Sequence, residues 1–149
     1  MTNEDVETRA TRLRAAPRHV KAASGYATLV GILILLRGCA SAYAGQLPYG
    51  KVLLYGCLAL GLFWYCGMSL LDRSRWGFVA LVGLAALPLL GVFAAGVHLL
   101  RLLIEGQAGP QLGDALVGAT GLGQLLVTCI LFRHLFAAET RSYVWKRPP

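Results

Sequence analysis

Residues 52–71 read VLLYGCLALGLFWYCGMSLL, twenty consecutive residues without a charged side chain. An α-helix of about 20 apolar residues spans the roughly 30 Å hydrocarbon core of a bilayer, because each residue adds about 1.5 Å of rise. Lipid offers no hydrogen-bonding partner to the backbone, so a segment of this kind crosses a membrane as a helix. The run therefore predicts a transmembrane helix.

Three further apolar runs accompany this one, at residues 25–44, 76–104 and 115–136. The run at 76–104 is longer than one crossing requires and contains Pro88, so we expect tilt, a protruding last turn or a bend there. The connections are short, which makes consecutive helices neighbours in space. The sequence predicts an all-α integral membrane protein, a four-transmembrane-helix bundle with up-down-up-down topology.

Composition supports a membrane protein and argues against a soluble one. The chain has 149 residues, of which 56% are hydrophobic and 14% are charged, and its mean hydropathy is +0.60. Soluble domains carry about 25% charged residues. The net charge of +7 lies mostly in segments that flank apolar runs, and the basic tail lacks the interleaved aromatic residues of a nucleic-acid surface. We therefore expect no nucleic-acid partner.

The distribution of basic residues predicts the orientation. Eleven of the 14 Lys and Arg residues lie in the N-terminal tail, in the loop 72–75 or at 133–149, whereas Lys51 and Arg101 lie on the other side. The positive-inside rule then places both termini in the cytoplasm. We expect basic cytoplasmic tails at 1–21 and 137–149 around a transmembrane domain at 22–136. These tails would contact anionic lipid headgroups of a bacterial inner membrane.

A signal peptide is the rival interpretation of the first run. A basic segment and an apolar stretch precede Ala42-Tyr43-Ala44, which resembles a cleavage site of the A-x-A type. However, the basic segment exceeds 20 residues, and Arg37 interrupts the apolar stretch close to that site. We therefore expect the first run to remain as a transmembrane helix.

Arg37 is the one charge inside the first run. It lies seven residues from the outer end of that helix, about 10 Å along the axis. One interpretation is an arginine that snorkels to the outer interface or pairs within the chain. The other is a site for an anion or a lipid headgroup, because charges at membrane depth are costly and often functional.

His98, Arg101 and Glu105 form a second polar group at the outer end of the third run. Spacings of three and four residues place them on one helix face, and Arg101 can pair with Glu105. They predict either an interfacial salt bridge or, if the first helix packs against the third, an outer polar vestibule shared with Arg37. Asp114 is a further partner for these cations and a candidate N-cap of the fourth helix.

Gln124 is the most central polar residue of the fourth run. A buried amide in lipid usually forms a hydrogen bond to a neighbouring helix. The alternative is a contact with a ligand or an ion. The predicted ligand or ion site therefore comprises Arg37, His98, Arg101, Glu105 and Gln124.

Cofactor and redox chemistry are not expected. His98 and His134 lie near opposite ends of their helices, so one haem iron could not bind both within one chain. The four cysteines all lie within apolar runs without CxxC spacing. Cys39 and Cys57 share a similar depth, which leaves a disulfide between them open. The sequence predicts no metal, no cofactor and no catalytic residue.

The glycines predict close helix packing. Small residues let helix backbones approach in lipid, and such residues recur in three of the four runs at Gly31, Gly38, Gly83, Gly91, Gly118, Gly121 and Gly123.

We expect a small multi-pass membrane protein that is not an enzyme. Its predicted role is an accessory subunit of a membrane complex or a subunit of a homo-oligomer. The alternative is a transporter or pore for a small solute, ion or lipid headgroup that uses the outer-half polar group. A membrane enzyme or redox protein is a third, less favoured class.

Overall fold

The computed structural model describes residues 16–104 and 112–145, with side chains described for 16–89, 113 and 116–145. The described chain is helical throughout, apart from short turns. Its five helices are α1 (Arg18–Tyr43), α2 (Tyr49–Leu71), α3 (Arg75–Ile104), α4 (Leu112–Leu135) and α5 (Ala138–Trp145).

The predicted all-helical fold is confirmed for these residues. Three helices are long and apolar enough to cross a membrane, at Arg18–Tyr43, Tyr49–Leu71 and Leu116–Leu135, and Arg75–Leu89 of α3 is a shorter apolar stretch. This length and composition indicate an integral membrane protein. The helix α3 continues through Pro88.

The long helices pack as a ring in chain order. The most extensive contacts join α1 to α2 and to α4, and α3 contacts both α2 and α4. Within the described residues, α1 contacts α3 only slightly. The packing of the first helix against the third, on which the predicted vestibule depended, is therefore a minor contact here.

Glycines bring α1 and α2 together. A Cβ atom at Gly31 would lie 2.9 Å from the Cα of Leu60, and one at Gly56 would lie 3.3 Å from the Cα of Leu35. A Cβ at Gly38 would lie 2.9 Å from Cγ1 of Val52. The two helices therefore approach so closely that position 31 accepts only glycine without a backbone shift. The predicted close packing is found at both Gly31 and Gly38.

The glycines of α4 behave differently. Cβ atoms built at Gly118, Gly121 and Gly123 meet no atom within 4 Å, and the same holds for Gly83 on α3. These glycines therefore make no close contact with the described side chains of neighbouring helices, although Gly121 itself is buried. The side chains of residues 90–112 lie outside the described part of the chain, as does the predicted packing at Gly91, which stays a prediction.

A six-residue turn motif ends α1. The N–H of Gln46 donates to the carbonyl of Ser41 at 2.9 Å, and the N–H of Gly45 donates to that of Ala42 at 3.0 Å. Gly45 has a φ of 73°, which glycine adopts without a Cβ penalty. The chain then enters α2 after Pro48, whose ring suits a helix start.

The same motif ends α2, with an arginine in place of glycine. Ser74 N–H donates to the Ser69 carbonyl at 3.0 Å and Arg73 N–H to the Leu70 carbonyl at 3.1 Å. Arg73 has a φ of 59°, an uncommon conformation for a residue with a Cβ. Ser74 then caps α3, because its Oγ accepts a hydrogen bond from Gly77 N–H at 3.1 Å.

One end of the bundle comprises the start of α1, the α2–α3 turn, the end of α4, and α5. We call this the basic end. A cluster of buried apolar side chains extends from it towards the middle of the helices: Ala16, Val20, Ala23, Ala27, Val30, Phe63, Cys66, Leu70, Leu71, Phe78, Leu81, Ala85, Leu131, Leu135 and Val144.

Part of the segment predicted as a C-terminal tail forms a docked helix. The helix α5 (Ala138–Trp145) follows α4 after two residues, and its Thr140 and Val144 are buried. It is short and has no strong apolar run, so hydropathy alone does not reveal it. Its docking closes the basic end.

Replacing Gly31 with alanine should destabilise the bundle. The new Cβ would approach the Leu60 backbone to 2.9 Å, and overpacking of this kind costs about 1–3 kcal/mol. Thermal unfolding of the purified protein in lipid nanodiscs measures the loss. The matched control is Gly61→Ala, because Gly61 has open space beside it and alanine favours a helix by up to about 1 kcal/mol. Equal shifts for the two variants would contradict the described α1–α2 contact.

Candidate functional site

Arg37 lies on the inward side of α1. It is half-buried, and it follows Val30 by seven residues and Ile34 by three, while Ser41 comes four residues later. Val30 and Ser41 are buried and Ile34 packs against the core. Residues at these spacings share one helix face, so Arg37 has the register of a bundle-facing residue.

Gln124 is buried in α4, with 3% of its surface exposed. Its backbone carbonyl accepts a second hydrogen bond, from the Thr128 hydroxyl at 2.7 Å. Thr120 likewise donates to the Leu116 carbonyl at 2.8 Å. The two threonines therefore satisfy their hydroxyls within α4, as Ser and Thr side chains commonly do in helices.

Arg37 and Gln124 lie at different depths. The end of α1 and the start of α4 meet where Gly113 contacts Ala44, because a Cβ at Gly113 would lie 3.0 Å from the Ala44 Cα. Arg37 is seven residues from Ala44, and Gln124 is eleven residues from Gly113. The difference is about 6 Å along the helix axes, so Gln124 lies about one helical turn further from this contact than Arg37.

The other predicted site residues are only partly described. His98 and Arg101 lie on α3 (Arg75–Ile104), and their side chains lie outside the described residues. Glu105 lies outside the described residues altogether. The site predicted for the outer half therefore stays a prediction, represented in the described structure by Arg37 and Gln124.

All four cysteines are free thiols in the described chain. Cys39 is half-buried and Cys57 is exposed, so the disulfide left open for this pair is absent from the described fold. Cys66 belongs to the buried core, and Cys129 is exposed on α4.

A second polar cluster occupies the basic end. The Nδ1 atoms of His19 on α1 and His134 on α4 lie 3.0 Å apart, at hydrogen-bond distance. Their ring centroids are 5.1 Å apart with an interplanar angle of 41°. We call this contact the histidine pair. It joins α1 to α4 through two residues that are 115 positions apart in the chain.

Neighbouring groups hold both rings of the histidine pair. Tyr26, two turns along α1 from His19, stacks on the His134 ring with centroids 5.3 Å apart and planes 16° from parallel. The carboxylate of Glu139 on α5 lies 3.8 Å from Nε2 of His19. The Thr140 hydroxyl donates to the backbone carbonyl of His134 at 2.8 Å, which fixes the junction between α4 and α5.

Two arginines of the α2–α3 turn pack on aromatic rings of α5. The guanidinium of Arg73 lies 4.5 Å from the Tyr143 ring centroid, and that of Arg75 lies 5.1 Å from the Trp145 ring centroid. Cation–π contacts at this distance contribute about 0.5–1 kcal/mol at exposed sites. The Tyr143 hydroxyl also donates to the Leu71 carbonyl at 2.9 Å, one of the carbonyls that a helix end leaves unpaired.

The chemistry available at the basic end is proton binding. A neutral imidazole carries one N–H donor and one acceptor nitrogen, so the histidine pair can exchange a proton between its rings and with water. Among the side chains that the structure describes, at 16–89, 113 and 116–145, no group of three or more His, Cys, Asp or Glu residues could hold a metal ion.

Sequence reasoning missed His19. The residue falls in the segment 1–21 that was interpreted as a polar tail, whereas α1 already begins at Arg18. The available signal is positional: His19 and His134 both lie at the predicted cytoplasmic ends of their helices. That signal identifies a pair only once α1 and α4 are known to be neighbours.

Comparison with models of protein families, with curated proteins and with solved structures finds no match to this chain.

Replacing Tyr143 with phenylalanine should loosen α5. The ring beside Arg73 stays, but the hydrogen bond to the Leu71 carbonyl is lost, which costs about 1 kcal/mol. Amide hydrogen exchange of residues 138–145 should become several-fold faster, because the docked state of α5 is less stable. The control is Tyr65→Phe, which alters an exposed tyrosine on α2. Unchanged exchange in Tyr143→Phe would show that this hydrogen bond does not hold α5.

Proposed function

We propose that this chain is a multi-pass membrane protein without catalytic chemistry that acts as an accessory or oligomeric subunit of a membrane complex. It crosses the bilayer four times, with both termini in the cytoplasm. The localisation that fits this arrangement best is a bacterial inner membrane.

The observation that carries this proposal is how little of each spanning helix the chain itself covers. In the most apolar windows of α1, α2 and α4, 22%, 28% and 22% of the residues are buried. The remaining apolar surface has to face lipid or other membrane helices. Among the described residues of these windows, partly or fully exposed positions therefore outnumber buried ones. Such an exposed apolar surface suits a protein that works through contacts with other subunits.

One face of α4 is the best candidate for such a contact. Gly118, Leu122, Leu126 and Cys129 are exposed and recur at spacings of four, four and three residues, so they share a face. Gly118 has open space beside it. Glycine at an exposed helix position makes the helix less stable than alanine would. A second helix can approach closely at such a position. We assign this face to a second copy of the chain.

The transport alternative rests on Arg37. Its half-buried position on the inward face of α1 favours a bundle-facing charge over an arginine that snorkels to the membrane interface. Gln124 lies about 6 Å deeper, and the side chains of His98, Arg101 and Glu105 lie outside the described residues. The subunit proposal is preferred because the low burial of the spanning helices supports it directly.

The predicted orientation agrees with the aromatic residues of the basic end. Trp76 is 83% exposed and Trp145 is 50% exposed, and both lie beside arginines of the α2–α3 turn or α5. Exposed tryptophan is typical of either membrane interface, whereas an excess of arginine is typical of the cytoplasmic side. The tryptophans therefore support an interfacial position for the basic end, and its arginines support the proposal that it faces the cytoplasm.

A copper-catalysed or maleimide cross-link at Cys129 tests the subunit contact. In a variant that keeps Cys66 and Cys129 and has serine at Cys39 and Cys57, we expect a product of twice the chain mass in native membranes. The control keeps Cys66 and Cys57 instead. Cys57 is also exposed but lies on α2, so it should stay monomeric. Equal yields in both variants, or none in either, would contradict an interface on α4.

Labelling with a membrane-impermeant maleimide tests the orientation. In a variant whose four native cysteines are serine, Leu47→Cys in the α1–α2 turn should react in intact cells, whereas Ala138→Cys at the start of α5 should react only after lysis. Both positions are exposed in the fold, so access depends on the side of the membrane. The reverse pattern would overturn the proposed topology.

A further inference from the structure

The histidine pair links three helices at one point of the basic end. His19 lies in the first turn of α1, His134 in the last turn of α4, and Glu139 in the first turn of α5 approaches Nε2 of His19. We propose that the histidine pair is a proton-binding site, and that binding of the second proton releases the start of α1 from the end of α4.

The proposal follows from the stoichiometry of the hydrogen bond. The two Nδ1 atoms lie 3.0 Å apart, so one must carry a hydrogen and the other must offer a lone pair. A neutral imidazole can serve as either partner, whereas an imidazolium has hydrogens on both nitrogens and can only donate. The bond therefore exists with no extra proton or with one, and it is lost when both rings are protonated.

The charges of the surrounding elements oppose the second proton. Positive side chains outnumber negative ones at the basic end by six to two. The positive ones are Arg18 and Lys21 on α1, Arg73 in the α2–α3 turn, Arg75 on α3, Arg133 on α4 and Arg141 on α5. The negative ones are Asp72 in the α2–α3 turn and Glu139 on α5. Arg133 and His19 both act electrostatically on His134. A doubly protonated pair therefore combines the lost hydrogen bond with repulsion between α1 and α4.

Glu139 offsets only a small part of that repulsion. Its carboxylate attracts a protonated His19 at 3.8 Å, but the side chains are 43% and 63% exposed for His19 and Glu139. Ion pairs this accessible to water contribute little. The same exposure allows protons from bulk water to reach His19, which a buried pair would not permit.

Opening of the pair has a defined structural consequence. The backbone carbonyl of His134 accepts the Thr140 hydroxyl, and the His134 ring stacks on Tyr26. Displacement of His134 therefore disturbs both the α4–α5 junction and the contact with α1. Because a free imidazole gains its proton near pH 6.5, the change should appear as the pH falls from about 7 to 5.

Two substitutions at His19 separate this site from general acid destabilisation. The amide of His19→Gln can donate to a neutral His134 or accept from a protonated one, so the contact should survive at every pH. His19→Leu removes the contact at every pH. His98→Gln is the matched control, because it removes the third histidine of the chain and leaves the pair intact.

The measurement is the thermal midpoint of the full chain in lipid nanodiscs between pH 7.5 and 5.0. The wild type and His98→Gln should lose on the order of 3 °C more than His19→Gln over this range, the size expected for one hydrogen bond in a chain of this length. His19→Leu should begin lower at pH 7.5 and lose no more than His19→Gln. An equal loss in the wild type and His19→Gln would overturn the proposal.

Imidazole ¹⁵N chemical shifts give a second readout that does not depend on stability. In the wild type at pH 7.5, the Nδ1 signals of His19 and His134 should show one hydrogen-bond donor and one acceptor, and this signature should be lost at pH 5.0. Nδ1 signals without a hydrogen bond at both pH values would also overturn the proposal.

Discussion

The close approach of α1 and α2 is the contact on which the rest of the bundle depends. Between helices in lipid there is little hydrophobic driving force, so association rests on van der Waals contacts that weaken steeply with distance. Gly31 and Gly56 remove the side chains that would keep these helices apart, and Leu60 and Leu35 fill the space. The turn that ends in Gly45 closes the hairpin without strain. With α2 fixed on one side, α1 offers its other side to α4.

Because α1 makes the most extensive contacts with both α2 and α4, its position determines which residues meet at each end of the bundle. At its outer end, the contact between Ala44 and Gly113 sets the height of α4. With that height fixed, helix length brings the start of α1 to the end of α4, and His19 meets His134. Arg37 shares the same inward face of α1, one side of which contacts α2. One packing arrangement therefore positions both the histidine pair and the charge inside the first span.

Hydropathy predicts the helices well, because lipid leaves a spanning backbone no alternative to internal hydrogen bonds. It does not identify helix neighbours, so the vestibule hypothesis depended on an untested contact between the first and third helices. It also misses a polar helix start, so His19 was assigned to a tail. The glycines show the same limit. Gly31 is packed and Gly118 is open, although both are small residues in apolar runs. The helix α5 was missed because its stability comes from tertiary contacts.

The turns that end α1 and α2 are both closed by backbone hydrogen bonds, which do not respond to pH. The basic end relies on side chains that carry charge: Arg73 and Arg75 pack on α5 rings, and the histidine pair joins α1 to α4. Arg73 even adopts a left-handed backbone conformation at a position where glycine would be free of strain. The Arg73 guanidinium contacts the Tyr143 ring, an interaction that glycine at this position would lack. Among the described residues, protons and anionic lipid can therefore act on the packing through the basic end, while the α1–α2 contact holds the helices that it joins in place.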